Sequence, residues 1–489
     1  MARAGYYLLT LFCFVHFSCT KKNNSIQPNI SVLGIVRDRI ITANDFIKRC
    51  EYVPRPAYCK GENYIHKKIA MNSLIAEKIL AIEFEKMQLS LTEPQINLIE
   101  GRKEQAMRQL MLKTYGYDFV EEDKNKIELF MLLRSRIYEI SFLTIHKEKQ
   151  IALSKVKKIF NKKESFNSNN VIKTKLLRFN DEMIQPVKEL LFYIGPEKNK
   201  VYGPFDTDST NLFLKIKSWT GSVRVTEKEK NDAWDSAKKD FIEKEALNLY
   251  ASYVSKLLSS KEINFYKESF NRFASKVSDI YLIEKKEKEK VLQDAVWEKN
   301  SELKLENLNQ LDNLKSEIIF SHEDKSWTVS DLMELIKKHP LVFRNKKFHP
   351  QRFNAELKLS IADLIRDMHI TKRAYDLGLD KDVNIIQVKQ KWEDYQRSAL
   401  VKLYYLKKMP NLDNIYNNKF PEKFLVKAID SLQKVYSDDI KINTEELGNI
   451  KLSKIDLFAR YSNQAYVNLE PSFPILTDDH LFDYGSILK

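Results

Sequence analysis

Val32-Leu33-Gly34-Ile35-Val36-Arg37-Asp38-Arg39-Ile40-Ile41-Thr42 decides the architecture of this chain. Two apolar runs flank Arg37-Asp38, so the segment reads as a short hairpin turning on that pair. Thr42 then caps a helix that contains Asp45 and Phe46. Beyond a proline-containing turn comes a longer helix, with Met71, Leu74, Ile75, Ile79 and Ile82 recurring on one face at the 3.6-residue period. Leu89 closes it, and Thr92-Glu93-Pro94 opens the next. About 290 residues later the plan returns. Ser326-Trp327-Thr328-Val329-Ser330-Asp331-Leu332 matches the pattern of Ile40 to Phe46. Leu357, Ile361, Leu364, Ile365 and Met368 repeat the long apolar face, and Gly378-Leu379 closes that helix. Leu74-Ile75 and Leu364-Ile365 are each followed by an acid, Glu77 and Asp367. A shared order of strand, cap, helix, turn and helix points to an internal duplication.

Composition favours the same class. With 11 Gly and 13 Pro in 489 residues, the chain lacks the positive-φ positions that doubly wound sheets, propellers and sandwiches consume. It is 43% hydrophobic and 30% charged, which suits helices with solvated outer faces. The expected fold is therefore mainly α with minor β. The net charge of +14 does not point to nucleic acid, because lysines alternate with acids, as from Glu284 to Lys290.

Arg3, the apolar run from Tyr6 to Phe17 and the small residue Ser18 form an export signal too short to span a bilayer. Ser18-Cys19 resembles the end of a bacterial lipobox, with His16 where that motif prefers an aliphatic residue. The resemblance implies lipidation at Cys19 and a membrane anchor, followed by a polar tether over 19–30. Cys50 and Cys59 then remain as an isolated pair around Pro54 and Pro56. In an exported protein they read as a disulfide stapling that turn, with two unpaired thiols as the alternative.

Chemistry is scarce. The sequence contains no phosphate loop, no dinucleotide fingerprint, no nucleophile elbow and no H-E-x-x-H. Its eight histidines are scattered, and Asp478-Asp479-His480 reads as a polar loop. No metal, cofactor or small-molecule substrate is expected.

Gly34 to Thr42 with Phe46, then Leu74-Ile75-Ala76-Glu77-Lys78-Ile79-Leu80, resembles the N-terminal chaperone domain of the SurA/PrsA-type periplasmic foldases. The similarity covers residues 31–160 and again 321–409. That family usually continues into a parvulin prolyl isomerase. Here Val171 to Leu177 resembles its first strand, Pro186 to Gly195 its late helix, and Val201 to Phe205 with Asn211 to Ile216 its last two strands. Leu176 and Leu212 fall where the resemblance calls for histidines, and the glycine-rich active-site segment is missing. The resemblance implies a truncated, inactive isomerase domain at 161–225. A helical segment and charged linker (226–320), a second SurA-N-like domain (321–409) and a tail of helix and strands (410–489) complete the expected order.

The family implies a lipid-anchored periplasmic chaperone, on the outer membrane by preference, holding unfolded outer-membrane or secreted polypeptides. Met71, Leu74, Ile75, Leu364, Ile365 and Met368 are the expected client contacts. A working isomerase and a fixed subunit of an envelope-assembly or secretion complex are the alternatives.

Overall fold

The computed structural model describes residues 31–147, 152–161, 172–207, 210–221, 225–281, 312–344, 350–407, 423–453, 458–461 and 464–488. The expected signal, Cys19, the tether, Val171 and the Glu284–Lys290 run lie outside them. The chain is mostly helical, 59% helix against 16% strand, which sustains the mainly-α reading. It divides into two compact units, residues 1–111 with 255–489, and 112–254. The expected boundaries differ accordingly. Residues 112–160 belong with the sheet unit, and 321–409 joins the N-terminal helices instead of forming a separate lobe.

The first unit opens with β1 (Val32–Val36) and β2 (Arg39–Thr42), an antiparallel hairpin whose turn residue Arg37 takes a φ of 56°. Thr42 Oγ1 accepts from Asp45 N at 3.0 Å and so caps α1 (Ala43–Glu51), one of the orphan donors of a helix start. The long helix α2 (Tyr64–Lys86) is buried along most of its length, and Gln88 ends it in the left-handed region. Helix α3 (Glu93–Tyr115) follows.

The second unit contains α4 (Lys124–Arg134), β3 (Arg136–His146), α5 (Leu153–Phe160), β4 (Lys173–Leu177), α6 (Gln185–Glu189) running into a π turn (Leu190–Ile194), β5 (Val201–Asp206), β6 (Thr210–Gly221) and most of α7 (Glu227–Leu257). Its four strands pair antiparallel in the order β4-β3-β6-β5. Tyr115 stacks on Tyr253 of α7 at 4.1 Å between ring centroids.

The chain then returns to the first unit and repeats the opening plan. Strand β7 (Ile263–Phe265), α8 (Lys267–Tyr281), β8 (Ile318–His322) and β9 (Lys325–Thr328) lead to a second capped helix, α9 (Val329–Lys338). The turn residue Glu323 has a φ of 52°, as Arg37 does, and Thr328 with Asp331 forms a reciprocal capping box. Helices α10 (Phe353–Asp376) and α11 (Val383–Lys407) repeat α2 and α3, with Gly378 left-handed (φ 70°) where Gln88 is in the first copy.

The two copies exchange partners. Helix α2 packs on α11, while α3 faces α10, where Arg108 donates to Thr371 at 2.8 Å and Tyr375 donates to Glu104 at 3.1 Å. At Gly101, α3 passes so close to the Lys338 carbonyl and Tyr466 that an added methyl group would collide with both. The tail is part of this core. Helix α12 (Lys423–Val435) precedes β10 (Ile440–Ile442), which pairs antiparallel with β1; α13 (Thr444–Asn449) follows, and β11 (Ser486–Ile487) closes the sheet in the order β11-β10-β1-β2. Ile450 and Leu452, in the expected tail, lie outside the described strands and are buried in the core beside Met71 and Ile75.

Candidate functional site

The sheet of the second unit is where an isomerase centre would stand. Its central strands are β3 and β6. Strand β3 precedes β4 in the chain, so the segment ending at Leu177 is the second strand and not the first, and it lies at the edge. Leu176 is therefore misplaced as a stand-in for a catalytic histidine. It is 57% exposed and faces Glu139 across the ladder. Leu212 does lie on the last strand, half-buried, opposite Thr144 and Phe205.

One side of this sheet presents Tyr138, Ile140, Leu214 and Ile216 to Leu190, Leu191 and Phe192, with Phe142 and Leu212 packed alongside. The other presents Leu143, Ile145 and Phe213 to Val156, Ile159 and Phe160 of α5. The Tyr138 hydroxyl, buried on the first side, donates to the Leu191 carbonyl at 2.7 Å. His146 stands at the exposed end of β3. The side under the π turn is thus a filled apolar layer whose buried hydroxyl is already committed to a backbone carbonyl.

Apolar surface is available elsewhere on the same unit. Helix α4 turns Ile127, Phe130 and Leu133 inward, where Phe130 stacks on Tyr193 at 4.6 Å and joins Ala237 and Phe241. Leu129 and Leu132, one turn apart, face outward at 46% and 51% exposure. The π turn packs on the same helix and ends in Ile194, exposed like the two leucines.

The residues expected to touch clients lie elsewhere. Met71, Leu74 and Ile75 are buried with Ile440, Ile442 and Phe473, and Leu364 and Ile365 with Phe270, Phe320 and Trp327; Met368 is half-buried against that second cluster. The physical reason is the returning tail over the first copy and α8 with the β8–β9 hairpin over the second, which cover the faces that a pattern of 3.6 leaves open. Five of the six are core, and Met368 packs at its edge.

Cys50 and Cys59 are free thiols in the structure, both buried, where a bridge was expected. Cys59 Sγ donates to the Pro56 carbonyl at 3.7 Å, and burial pushes each thiol up to about 12. A thiol so far from ionising is a poor nucleophile for exchange. Alkylation of the native protein should therefore leave both unlabelled, and unfolding without reductant should label both. Absence of label in the unfolded, unreduced protein would restore the bridge.

A buried ionic seam runs where α2 meets α11. Glu77, with no exposed side-chain surface, receives both terminal nitrogens of Arg49 at 3.0 and 2.7 Å, and Arg49 also donates to the Ser472 carbonyl at 2.7 Å. Next to it, Asp394 accepts from Lys78 (2.9 Å), Arg39 (3.0 Å) and Gln390 (2.8 Å). Lys391 pairs with Glu470 of the tail at 2.7 Å. The α3–α10 contact carries a related cluster, in which Glu104 accepts from Lys338, from His339 at 2.7 Å and from Tyr375. Burial pushes Glu104 up, but these hydrogen bonds and the neighbouring charges outweigh it and hold the carboxyl at about 2.

Sequence reading missed one pairing. His322 at the end of β8 and His369 in α10, 47 residues apart, meet with Nε2 atoms 2.7 Å from each other, and the Glu323 carboxylate stands beside them. No short spacing announces them. These are the described residues that could hold a metal ion. No family model, curated protein or solved structure matches this chain.

Proposed function

We propose that this chain is a SurA/PrsA-type holding chaperone of the bacterial envelope, exported on residues 1–18, anchored through lipid on Cys19, and serving unfolded outer-membrane or secreted polypeptides. The observation that carries this reading is the outward apolar set Leu129, Leu132 and Ile194 on the second unit. A mobile client makes many weak apolar contacts, and exposed side chains on a rigid helix offer these without ordering cost on the chaperone's side. The recurring hairpin, cap and paired helices support the family reading. With their apolar faces buried, they act as a frame and not as jaws. The filled layer under the π turn supports reading this sheet as an inactive relative of an isomerase, which must relax a barrier of about 18–20 kcal/mol.

Leu129→Ser/Leu132→Ser/Ile194→Ser should reduce suppression of aggregation of an unfolded β-barrel client severalfold. The helical circular dichroism should stay unchanged, since exposed substitutions each cost within about 0.5 kcal/mol. Full holding by the triple variant would remove this surface from consideration. The wild type should leave a proline peptide to isomerise over its spontaneous tens of seconds. Acceleration would make it a working isomerase, and one stoichiometric partner in cellular crosslinking would make it a fixed subunit.

A further inference from the structure

Two buried histidines face each other in the second helical copy, at 4% and 7% exposure for His322 and His369. The Nδ1 atom of His322 lies 2.9 Å from the Glu262 carbonyl. A carbonyl only accepts, so Nδ1 carries the proton and Nε2 keeps its lone pair. That lone pair points at His369 Nε2. A metal-ligating histidine has this form: one ring nitrogen tied to a backbone carbonyl, the other presented bare. Glu323, the exposed turn residue beside His322, places its carboxylate so that all three donor atoms fall within 4.8 Å of one another.

The fold does not need histidines here. In the first copy the equivalent positions, aligned on Thr42 with Thr328 and on Leu74 with Leu364, are Val36 and Ile79. Both are fully buried and apolar. The same hairpin-to-helix contact is thus made by plain packing in one copy and by two imidazoles in the other. Two imidazoles bring ring nitrogens that plain packing has no use for, and here those nitrogens converge beside a carboxylate.

We propose that His322, His369 and Glu323 bind a divalent zinc-type cation. Two imidazole nitrogens with one carboxylate oxygen suit zinc, with water in the fourth position. Binding needs both Nε2 lone pairs, so the proton between the two Nε2 atoms moves to His369 Nδ1, the other tautomer of a neutral ring. On a tetrahedral zinc at about 2.0–2.1 Å, two nitrogens stand about 3.3 Å apart, so the rings must open by roughly half an ångström. Glu323 is paired with Lys261 and must turn from it to the ion. Its exposure gives the ion a path in from solvent. The cation would pin the β8–β9 turn to α10.

The full-length chain, without a histidine tag and stripped with a chelator, is titrated with Zn²⁺ by calorimetry and with Co²⁺ by visible absorption. One equivalent of Zn²⁺ and the intense bands of tetrahedral cobalt are expected. The variant His322→Val/His369→Ile copies the residues of the first repeat, so it should fold with unchanged circular dichroism and bind neither ion. Glu323→Gln, on the surface, should bind at least tenfold more weakly. Absence of stoichiometric binding by the wild type overturns the proposal, as does binding that survives in the double variant.

Discussion

Glu77→Ala should destabilise the helical unit by about 3–5 kcal/mol, read as the loss of its urea midpoint, because it strands Arg49 as an uncompensated charge in the core. Arg49 is 2% exposed and keeps only the Ser472 carbonyl as a strong acceptor once the carboxylate has gone. Lys78, 3.8 Å from Glu77, loses one of its two acids as well. Replacing both Glu77 and Arg49 with apolar residues of similar volume should cost much less, since the pair itself contributes little over a well-packed hydrophobic contact. If the single and double variants unfold at the same urea concentration, the stranded charge is not the cause.

Acid should attack the α3–α10 contact next. The Glu104 carboxyl, held at about 2 in the folded protein against an ordinary value of 4.5, is depressed by folding. Its contribution is therefore complete above pH 5 and is lost as pH falls through 4.5 toward 2, on the order of 3 kcal/mol in all. His339, whose own value burial pushes down, adds a loss in the same direction that begins below its ordinary 6.5. Glu104→Gln should be weaker than the wild type at pH 7, and the gap should narrow steadily below pH 4.5 and close only toward pH 2 in a series of urea unfolding curves. Parallel stability curves for the two proteins across that range would show that Glu104 is not the group responsible.

Local signals were legible. The hairpin on Arg37-Asp38, the Thr42 and Thr328 caps, the buried faces of α2 and α10 and the stop at Gly378 all stand where short-range pattern places them. Contacts between distant segments were not. Strand β3 buries residues on both sides of its sheet, so it lacks the clean alternation of a half-solvated strand, and Ser135 is the sole break between it and α4. The apolar stripe of α2 reads equally well as a client groove or as core. Only β10, α11 and the tail decide the matter, and they lie more than 300 residues away. The histidine pair was within reach by setting the two copies side by side, where His322 and His369 interrupt an otherwise apolar match to Val36 and Ile79.

The pairing of β1 with β10 also sets a timetable for the newborn chain. Arg37 and its partner Asp439 are 402 residues apart. At about 5–20 residues per second, a ribosome needs roughly 20–80 s to make the intervening chain. During that interval β1 has its neighbour β2 on one edge and an open ladder on the other, and α2 waits for α11 with its apolar face bare. The N-terminal repeat is thus the first part made and among the last to find its partners. Until β10 is made, the first repeat cannot complete its sheet, and it needs shelter from other nascent chains for that long.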